Sequence, residues 1–504
     1  MNLATDPATR AGAHLWVGLP GLRLGSEERA HLERIHPGVV ILFERNIESL
    51  PQVRDLIQEL RRVVGPQLSI AVDQEGGTVV RFSRHLTLFP GNMALGAVAA
   101  ADLDKGWELA YQQGVQSGTE LRDLDIDINL APCVDLALSS DNPWLGTRSF
   151  GASPERAARL AEALVAGHLA SGVEPVLKHF PGLGEARSDS HVDLPSIHAR
   201  RPADSLRPFR DGIDAGCRVV MTSHSLYRNL DPELPVTLSS RVVQGALRDQ
   251  LGYSGVVVSD DLEMGAMAEH YSFPETVRGA LSAGHDAICV AADLLKQVQA
   301  HAILQQGYAE GAGWLCHGEA SQARLQGIRE RSGKPPTAPK NGTLLARRIA
   351  ESAVTLLSDP GWLPISPEQR PLVVLPATAP RGEDLKTLRQ ALTPYARFQE
   401  VALEPTSADL TTAARRSVES DLLVVVLVEA KRSPARRELA RQALDWHDRV
   451  VFLLLGDPWD IEVLPRRKTC TILCGYGFRP VHQYALAQVL LGNTIARGIA
   501  PVKL

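Results

Sequence analysis

Residues 178–195, KHFPGLGEARSDSHVDLP, concentrate ionisable and turn-forming side chains more densely than any other part of the chain, and within them Asp189 and His191 stand two residues apart. A carboxylate beside an imidazole orients the ring, selects its tautomer and stabilises its protonated form, so such a histidine passes protons near neutral pH. Two solvated loop residues would show the same spacing, and the pair alone does not separate the readings. Its surroundings do more. A mostly apolar run, 173–177, ends abruptly in Lys178 and His179 and then breaks at Pro181, Gly182 and Gly184, as a strand running out into a functional loop does.

The same event recurs along the chain. Asp73 follows SIAV, Asn129 and Asp135 flank the end of a fourth apolar run, His224 follows VVMTS, and Asp260 and Asp261 follow VVVS. Any one of these is commonly a cap or turn residue. Apolar runs that repeatedly end in polar groups point to one shared polar site. Arg81, in VDQEGGTVVRF, and Arg148, in WLGTRSFG, complete the set, although either arginine alone reads more readily as a surface salt bridge. Gly76 and Gly77 mark a tight turn between Asp73 and Arg81.

The elements that must carry these residues alternate short Val/Ile/Leu-rich runs with longer amphipathic segments. Candidate strands fall at 14–18, 38–43, 68–72, 126–131, 174–177, 218–222, 255–259 and 286–290. Eight such units in under 300 residues predict an N-terminal (β/α)8 barrel over 1–335, whose working groups gather at the C-terminal strand ends. ASQARLQGIRER reads as a last helix, and SGKPPTAPKNG as a connector, placing a linker at 336–344. Beyond it, LLARRIAESAVTLL reads as a helix, and apolar runs at 372–375, 422–428, 450–455 and 471–473 predict a smaller α/β sandwich domain over 345–504. Its Asp457 and His482 show no spacing that suggests chemistry and read as structural.

Composition narrows the function class. With 53 basic and 58 acidic residues, net charge −5, and no long run of one sign, the chain lacks the signature of a nucleic-acid binder. The six cysteines have no CxxC spacing, which argues against zinc knuckles and disulfide frameworks. No stretch of about 18 apolar residues and no basic start before an apolar core occurs, so a cytoplasmic protein without membrane partners is expected. Neither a phosphate-cradling GxxxxGK[ST] nor GxGxxG, GxSxG or HExxH is present, which weakens nucleotide, serine-hydrolase and zincin readings.

In order and spacing, GVVILFERNI, VDQEGGTVVRF, NLAPCVDL, TRSFGASPERAARLA, KHFPGLGEARSDSHVDLP, MTSHSLY, PVTLSS and GVVVSDDLEM resemble the family 3 glycoside hydrolases, and within them the bacterial β-N-acetylglucosaminidases. RRIAESAVTLL and GNTIARGIAPVKL resemble the start and end of that family's second domain. The resemblance implies Asp260 as the nucleophile of a covalent glycosyl-enzyme intermediate and His191, held by Asp189, as general acid and base in place of the second carboxylate of most retaining glycosidases. It implies a structural neighbour's role for Asp261, and sugar binding by Asp73, Arg81, Arg148, Lys178 and His179. It further implies a small carbohydrate substrate, terminal β-linked N-acetylglucosamine on cell-wall fragments or chitin-like oligosaccharides, with no cofactor and no metal; monomer or homodimer is left open. Two departures stand out: Leu183 where the subfamily commonly has a histidine, and Thr78 where an arginine is common after EGG.

Three other readings remain. Transfer to phosphate would make the same site a phosphorylase. A barrel hydrolase could use His179, Asp189, His191, His224 and Asp260 as metal ligands, although no HxH follows the first strand. The Leu183 departure admits a silent sugar-binding homologue.

Overall fold

The computed structural model describes residues 6–504 except 143, 200, 330–340, 367 and 466–468. Eight strands, β1 (Leu15–Gly18), β2 (Val39–Leu42), β3 (Ser69–Val72), β4 (Ile128–Asn129), β5 (Glu174–Phe180), β6 (Val219–Thr222), β7 (Val256–Asp261) and β8 (Ala287–Val290), form the first unit. Each pairs in parallel with its neighbours in sequence, and β8 returns to β1, closing the barrel. Strands covered on both faces must be apolar on both, which is why they read as continuous runs. Trp16, Ile41, Val176, Met221, Val258 and Cys289 fill the interior. Outward residues meet helices such as Leu50–Val64, whose buried Val53, Leu56, Ile57 and Leu60 repeat at helical spacing.

The N-terminal end of the barrel is plugged. Helix Gly318–Arg329 sends Leu325 and Ile328 into the interior cluster. Buried Asp286, just before β8, accepts from Ser321 Oγ at 2.7 Å, Arg324 Nη2 at 2.6 Å and Arg248 Nη2 at 2.7 Å. These bonds clamp the plug to the strands, so only the opposite end is free to hold a cleft.

The strands differ from their sequence signals where the site lies. β5 and β7 run on past their apolar residues, taking Lys178 and His179, and Asp260 and Asp261, into the ladder itself. β4 is only two residues long as a regular strand, but the chain goes on pairing with β5 beyond it: Val176 N donates to Ala131 O at 2.9 Å and Val134 N to Lys178 O at 2.8 Å.

The second unit starts with helix Gly342–Ala353, so the end of the expected linker is already helical; its remainder at 336–340 lies outside the described residues. That helix does not run through LLARRIAESAVTLL. It stops at Ala353, and β9 (Thr355–Ser358) follows, because β-branched Val354 and Thr355 favour extended backbone and Thr355 Oγ1 bonds the Ala353 carbonyl at 3.0 Å. Then come β10 (Leu372–Pro376), β11 (Arg397–Val401), β12 (Leu423–Leu427), β13 (Val450–Leu454) and β14 (Thr471–Cys474). The sheet order is β9-β14-β13-β12-β10-β11, parallel except for β9. Residues alternate between two helical layers: Val373, Val424 and Leu453 pack to one side, Val374, Val425 and Leu454 to the other. β11 had no apolar signal because it is an edge strand, RFQEV, with only Val401 buried.

The end of the chain returns to the barrel. Ile499 N donates to Ala97 O at 3.1 Å, and Ala152 N donates to Pro501 O at 3.0 Å, tying the tail to helix Asn92–Ala101 and to the loop that carries Arg148. No helix among the described residues is long and apolar enough to cross a membrane.

Candidate active site

A cleft of about 500 Å³ opens at the C-terminal strand ends. Its floor is an alternating chain of charges. Asp73, directly after β3, accepts from Arg81 Nη2 at 3.0 Å and from Lys178 Nζ at 2.7 Å. Lys178 also meets Glu75 Oε1 at 2.7 Å, and Arg148 grips both Glu75 oxygens, through Nη2 at 2.8 Å and Nε at 3.0 Å. The chain can bring Asp73 and Glu75 together here because Gly76 and Gly77 turn with positive φ, and a Cβ on Gly77 would lie 2.7 Å from Gly91 Cα.

Burial alone would raise the Asp73 carboxyl, but Lys178 and Arg81 hold it well below the usual carboxylate range. Burial opposes the Glu75 charge too, and Arg148 and Lys178 bring its pKa down to about 2. Lys178, only 4% exposed, would lose its proton more readily through burial, yet Asp73 and Glu75 raise its pKa. The floor is therefore ionised at neutral pH, a set of charged hydrogen-bond donors and acceptors.

Above it, His179 Nδ1 donates to Asp135 Oδ2 at 2.8 Å, since an ionised carboxylate can only accept. Asp135 Oδ1 takes the backbone N–H groups of His179 at 3.2 Å and Leu183 at 2.9 Å. Burial would raise the Asp135 carboxyl, but His179 and these bonds lower it. The ring is thereby fixed, with Nε2 facing Asp260 Oδ2 at 4.0 Å. Trp144 stands edge-on to it, ring centroids 5.1 Å apart, and Arg148 lies over the Trp144 ring. Cys133 joins Asp135 and His179 in a buried trio whose donor atoms all lie within 4.8 Å of one another, the set best suited to hold a metal ion among the described residues.

Asp260 and Asp261 both line the cleft in different environments. Asp260 Oδ1 accepts from Asp261 N at 2.8 Å, and Oδ2 points toward His179. Asp261 Oδ1 turns to the backbone N–H groups of Glu263 and Ala291, and burial pushes its pKa up to about 7. His224, named as a candidate by its place after β6, is a brace. Its Nε2 donates to the Asp261 carbonyl at 2.8 Å, Nδ1 accepts from Thr237, and burial lowers its pKa. Asn129 likewise braces the end of β3, accepting from Gln74 N at 3.0 Å.

Asp189 and His191 line the same cleft from above. Asp189 Oδ1 accepts from His191 Nδ1 at 2.8 Å and from His191 N at 2.9 Å, while the histidine side chain remains 66% exposed. The loop is pinned to the turn after β7, where Gly265 N and Ala266 N donate to the carbonyls of His191 and Ser190 at 3.2 and 3.1 Å. The cleft thus holds an aspartate beside a fixed imidazole, an exposed Asp–His pair and a charged floor.

A model of the glycosyl hydrolase family 3 N-terminal domain matches residues 13–312. The chain belongs to glycosyl hydrolase family 3. A β-hexosaminidase of Thioalkalivibrio sulfidiphilus is 39% identical over 277 residues, 54% of this chain and 79% of that protein. The solved family 3 β-N-acetylglucosaminidase from Paenibacillus sp. str. FPU-7 is 34% identical with a TM-score of 0.90, covering 99% of this chain and 98% of its own. A β-glucoside phosphorylase, 20% identical at a TM-score of 0.80, covering 99% of this chain and 94% of that one, shares the fold.

This glycosidase brings together in one cleft Asp73, Arg81, Arg148, Lys178, His179, Asp189, His191 and Asp260, while Asn129, Asp135 and His224, also named from sequence, stand behind it as braces. Sequence reasoning missed Glu75, Trp144 and Arg381. Glu75 sits in the same DQEGG segment as Asp73, and its acidic side chain beside two glycines was an available signal. Trp144, four residues before Arg148, was a weaker one. Arg381 comes from the second unit and donates to the Thr78 carbonyl at the cleft rim, a reach that no local pattern announces. Leu183 proves to be buried, with its backbone N–H on Asp135 and its carbonyl accepting from Asn142 at 2.8 Å.

Proposed function

We propose that the protein is a retaining, exo-acting β-N-acetylglucosaminidase that releases terminal β-linked N-acetylglucosamine from cell-wall muropeptide fragments or chitooligosaccharides. Asp260 attacks the anomeric carbon and forms a glycosyl-aspartate. His191 protonates the leaving oxygen, then takes a proton from the water that resolves the intermediate, and Asp189 holds its ring. Asp73, Lys178 and Arg81 bind hydroxyls of the terminal sugar, while Glu75 and Arg148 keep Lys178 and the floor in place. The observation that carries this reading is the placement of Asp260 in one cleft with the Asp189–His191 pair, above a floor whose charges are already paired. The similarity to β-hexosaminidases and to the Paenibacillus β-N-acetylglucosaminidase supports the choice of sugar. A cytoplasmic location and a role in cell-wall recycling belong to the same proposal, and cell fractionation tests the first.

The test is release of nitrophenol from the β-N-acetylglucosaminide, glucoside and xyloside, with and without phosphate and chelator. Selective, chelator-insensitive cleavage of the N-acetylglucosaminide is expected, with free sugar as product. A sugar 1-phosphate would move the reading to phosphorolysis, and loss of activity with chelator to a metal hydrolase. Mass spectrometry of a fluorosugar-inactivated sample should place the label on Asp260; a label elsewhere removes it as nucleophile.

A further inference from the structure

The sheet of the second unit has a crevice of its own, and it opens onto the barrel. Open parallel sheets take ligands outside the C-terminal ends of strands where the strand order reverses. Here the order reverses between β10 and β12. The loops that follow them supply Arg381, Glu429 and Arg432 to a cavity of about 220 Å³, the loops after β13 and β14 add Asp457 and Arg479, and Trp144 of the barrel closes it. His482, at the start of helix Pro480–Leu490, lines it as well.

Two of the buried side chains around this cavity lack hydrogen-bond partners among the described residues. His482 is fully buried, and neither ring nitrogen makes a well-formed hydrogen bond among the described residues. The indole N–H of Trp144 is buried without an acceptor. Asp457 accepts from Trp459 N with Oδ1, while Oδ2 and the Arg432 guanidinium converge on the Gly146 side of the cavity. A buried polar group left without a partner costs about 1–3 kcal/mol, and each such case asks for something that completes it.

The balance of charge says what that is. Arg479 is neutralised by Glu383. Arg432 has no carboxylate within ion-pair distance among the described residues, and Arg381 is spent on a backbone carbonyl, leaving its charge unpaired. Against them stand Glu429 and Asp457, and burial pushes the Asp457 pKa up to about 7, which weakens its negative charge near neutral pH.

We propose that this crevice is an oxyanion site, in which a carboxylate or phosphate group of a small molecule accepts from the Arg432 guanidinium and the Trp144 indole N–H. Two sources offer that chemistry: an acidic leaving group of the substrate, or a free anion. Thr78, Trp144 and Arg381 line both this crevice and the catalytic cleft, so a leaving group emerging from the cleft passes into it. The leaving-group arm rests on the N-acetylglucosaminidase reading above.

Arg432 is exposed and lies outside the catalytic floor, so Arg432→Ala in the full chain isolates the site. Wild type and variant are compared on nitrophenyl N-acetylglucosaminide and on the same sugar linked to a carboxylate-bearing sugar, and inorganic phosphate is titrated by calorimetry and into the neutral assay. If the anion belongs to the leaving group, kcat/KM on the acidic substrate falls about tenfold in the variant while the neutral substrate changes less than about twofold. If the anion is free, phosphate binds wild type and changes the neutral rate with free sugar still the product, and the variant loses both effects. Equal kinetics on both substrates together with no phosphate heat in either protein overturns the proposal. Should wild type cleave neither glycoside, the N-acetylglucosaminidase reading fails on its own, and calorimetry alone decides the site.

Discussion

The barrel cleft and the crevice of the second unit occupy the same kind of place, the C-terminal ends of parallel strands, and are finished in opposite ways. In the cleft, Asp73, Glu75, Lys178, Arg81 and Arg148 pair with one another at hydrogen-bond distance. In the crevice, the His482 ring nitrogens and the Trp144 indole N–H are buried without a hydrogen-bond partner among the described residues. The first site is held rigid before substrate arrives, which suits chemistry that needs reacting atoms positioned within fractions of an ångström. The second is incomplete by itself, which suits recognition.

The largest expected effect comes from Asp260, whose Oδ2 faces His179 Nε2 at 4.0 Å in the cleft. Asp260→Ala should lower kcat by about 10⁴-fold or more on every substrate, the usual scale for losing a nucleophile. Substantial residual turnover on the neutral aryl glycoside would remove Asp260 from that role. His191→Ala should cost about 10²–10⁴-fold on natural linkages, whose leaving oxygen needs a proton, and much less on nitrophenyl substrates. Equal losses on both would break the acid/base assignment.

Stability separates the two sites as well. Lys178→Met leaves Asp73 and Glu75 buried without their shared cation and should destabilise the fold by about 3–5 kcal/mol in urea. His482→Phe removes only a buried, unpaired ring and should leave the urea midpoint unchanged or raise it. A loss as large as that of Lys178→Met would mean that the crevice is as internally satisfied as the floor.

A smaller effect appears in the acid limb. The folded pKa of Glu75, about 2, lies below its ordinary 4.5, so its charge stabilises the fold fully above pH 4.5 and that contribution is lost as pH falls toward 2. Glu75→Gln should therefore be less stable than wild type at neutral pH and lose less between pH 4.5 and 2. Parallel unfolding curves for the two proteins across that window would show that Glu75 is not held by Arg148 and Lys178.

Much of the barrel was legible because its strands are buried on both faces and must be apolar throughout, so the point where polar residues begin marks a strand end. That logic located Asp73, Lys178, His179 and Asp260. It failed for β11, whose residues face solvent at a sheet edge, and for β9, where a helical pattern runs into β-branched residues that only the neighbouring strand turns into sheet. It also placed His224 among the candidates, and the structure gives it to the backbone of Asp261.

By itself the sequence determined the alternation of strands and helices, the polar residues at the strand ends, and the Asp189–His191 pair, since all of these depend on neighbours within a few positions. That Arg148 reaches Glu75 across 73 residues, that Arg381 donates to Thr78 across 303, and that the His482 ring, read from sequence as structural, finds no hydrogen-bond partner among the described residues emerge only when the chain folds. Those outcomes depend on how the barrel closes and how the second unit docks on it. Both are set by packing between residues far apart in the chain, and no local periodicity carries that information.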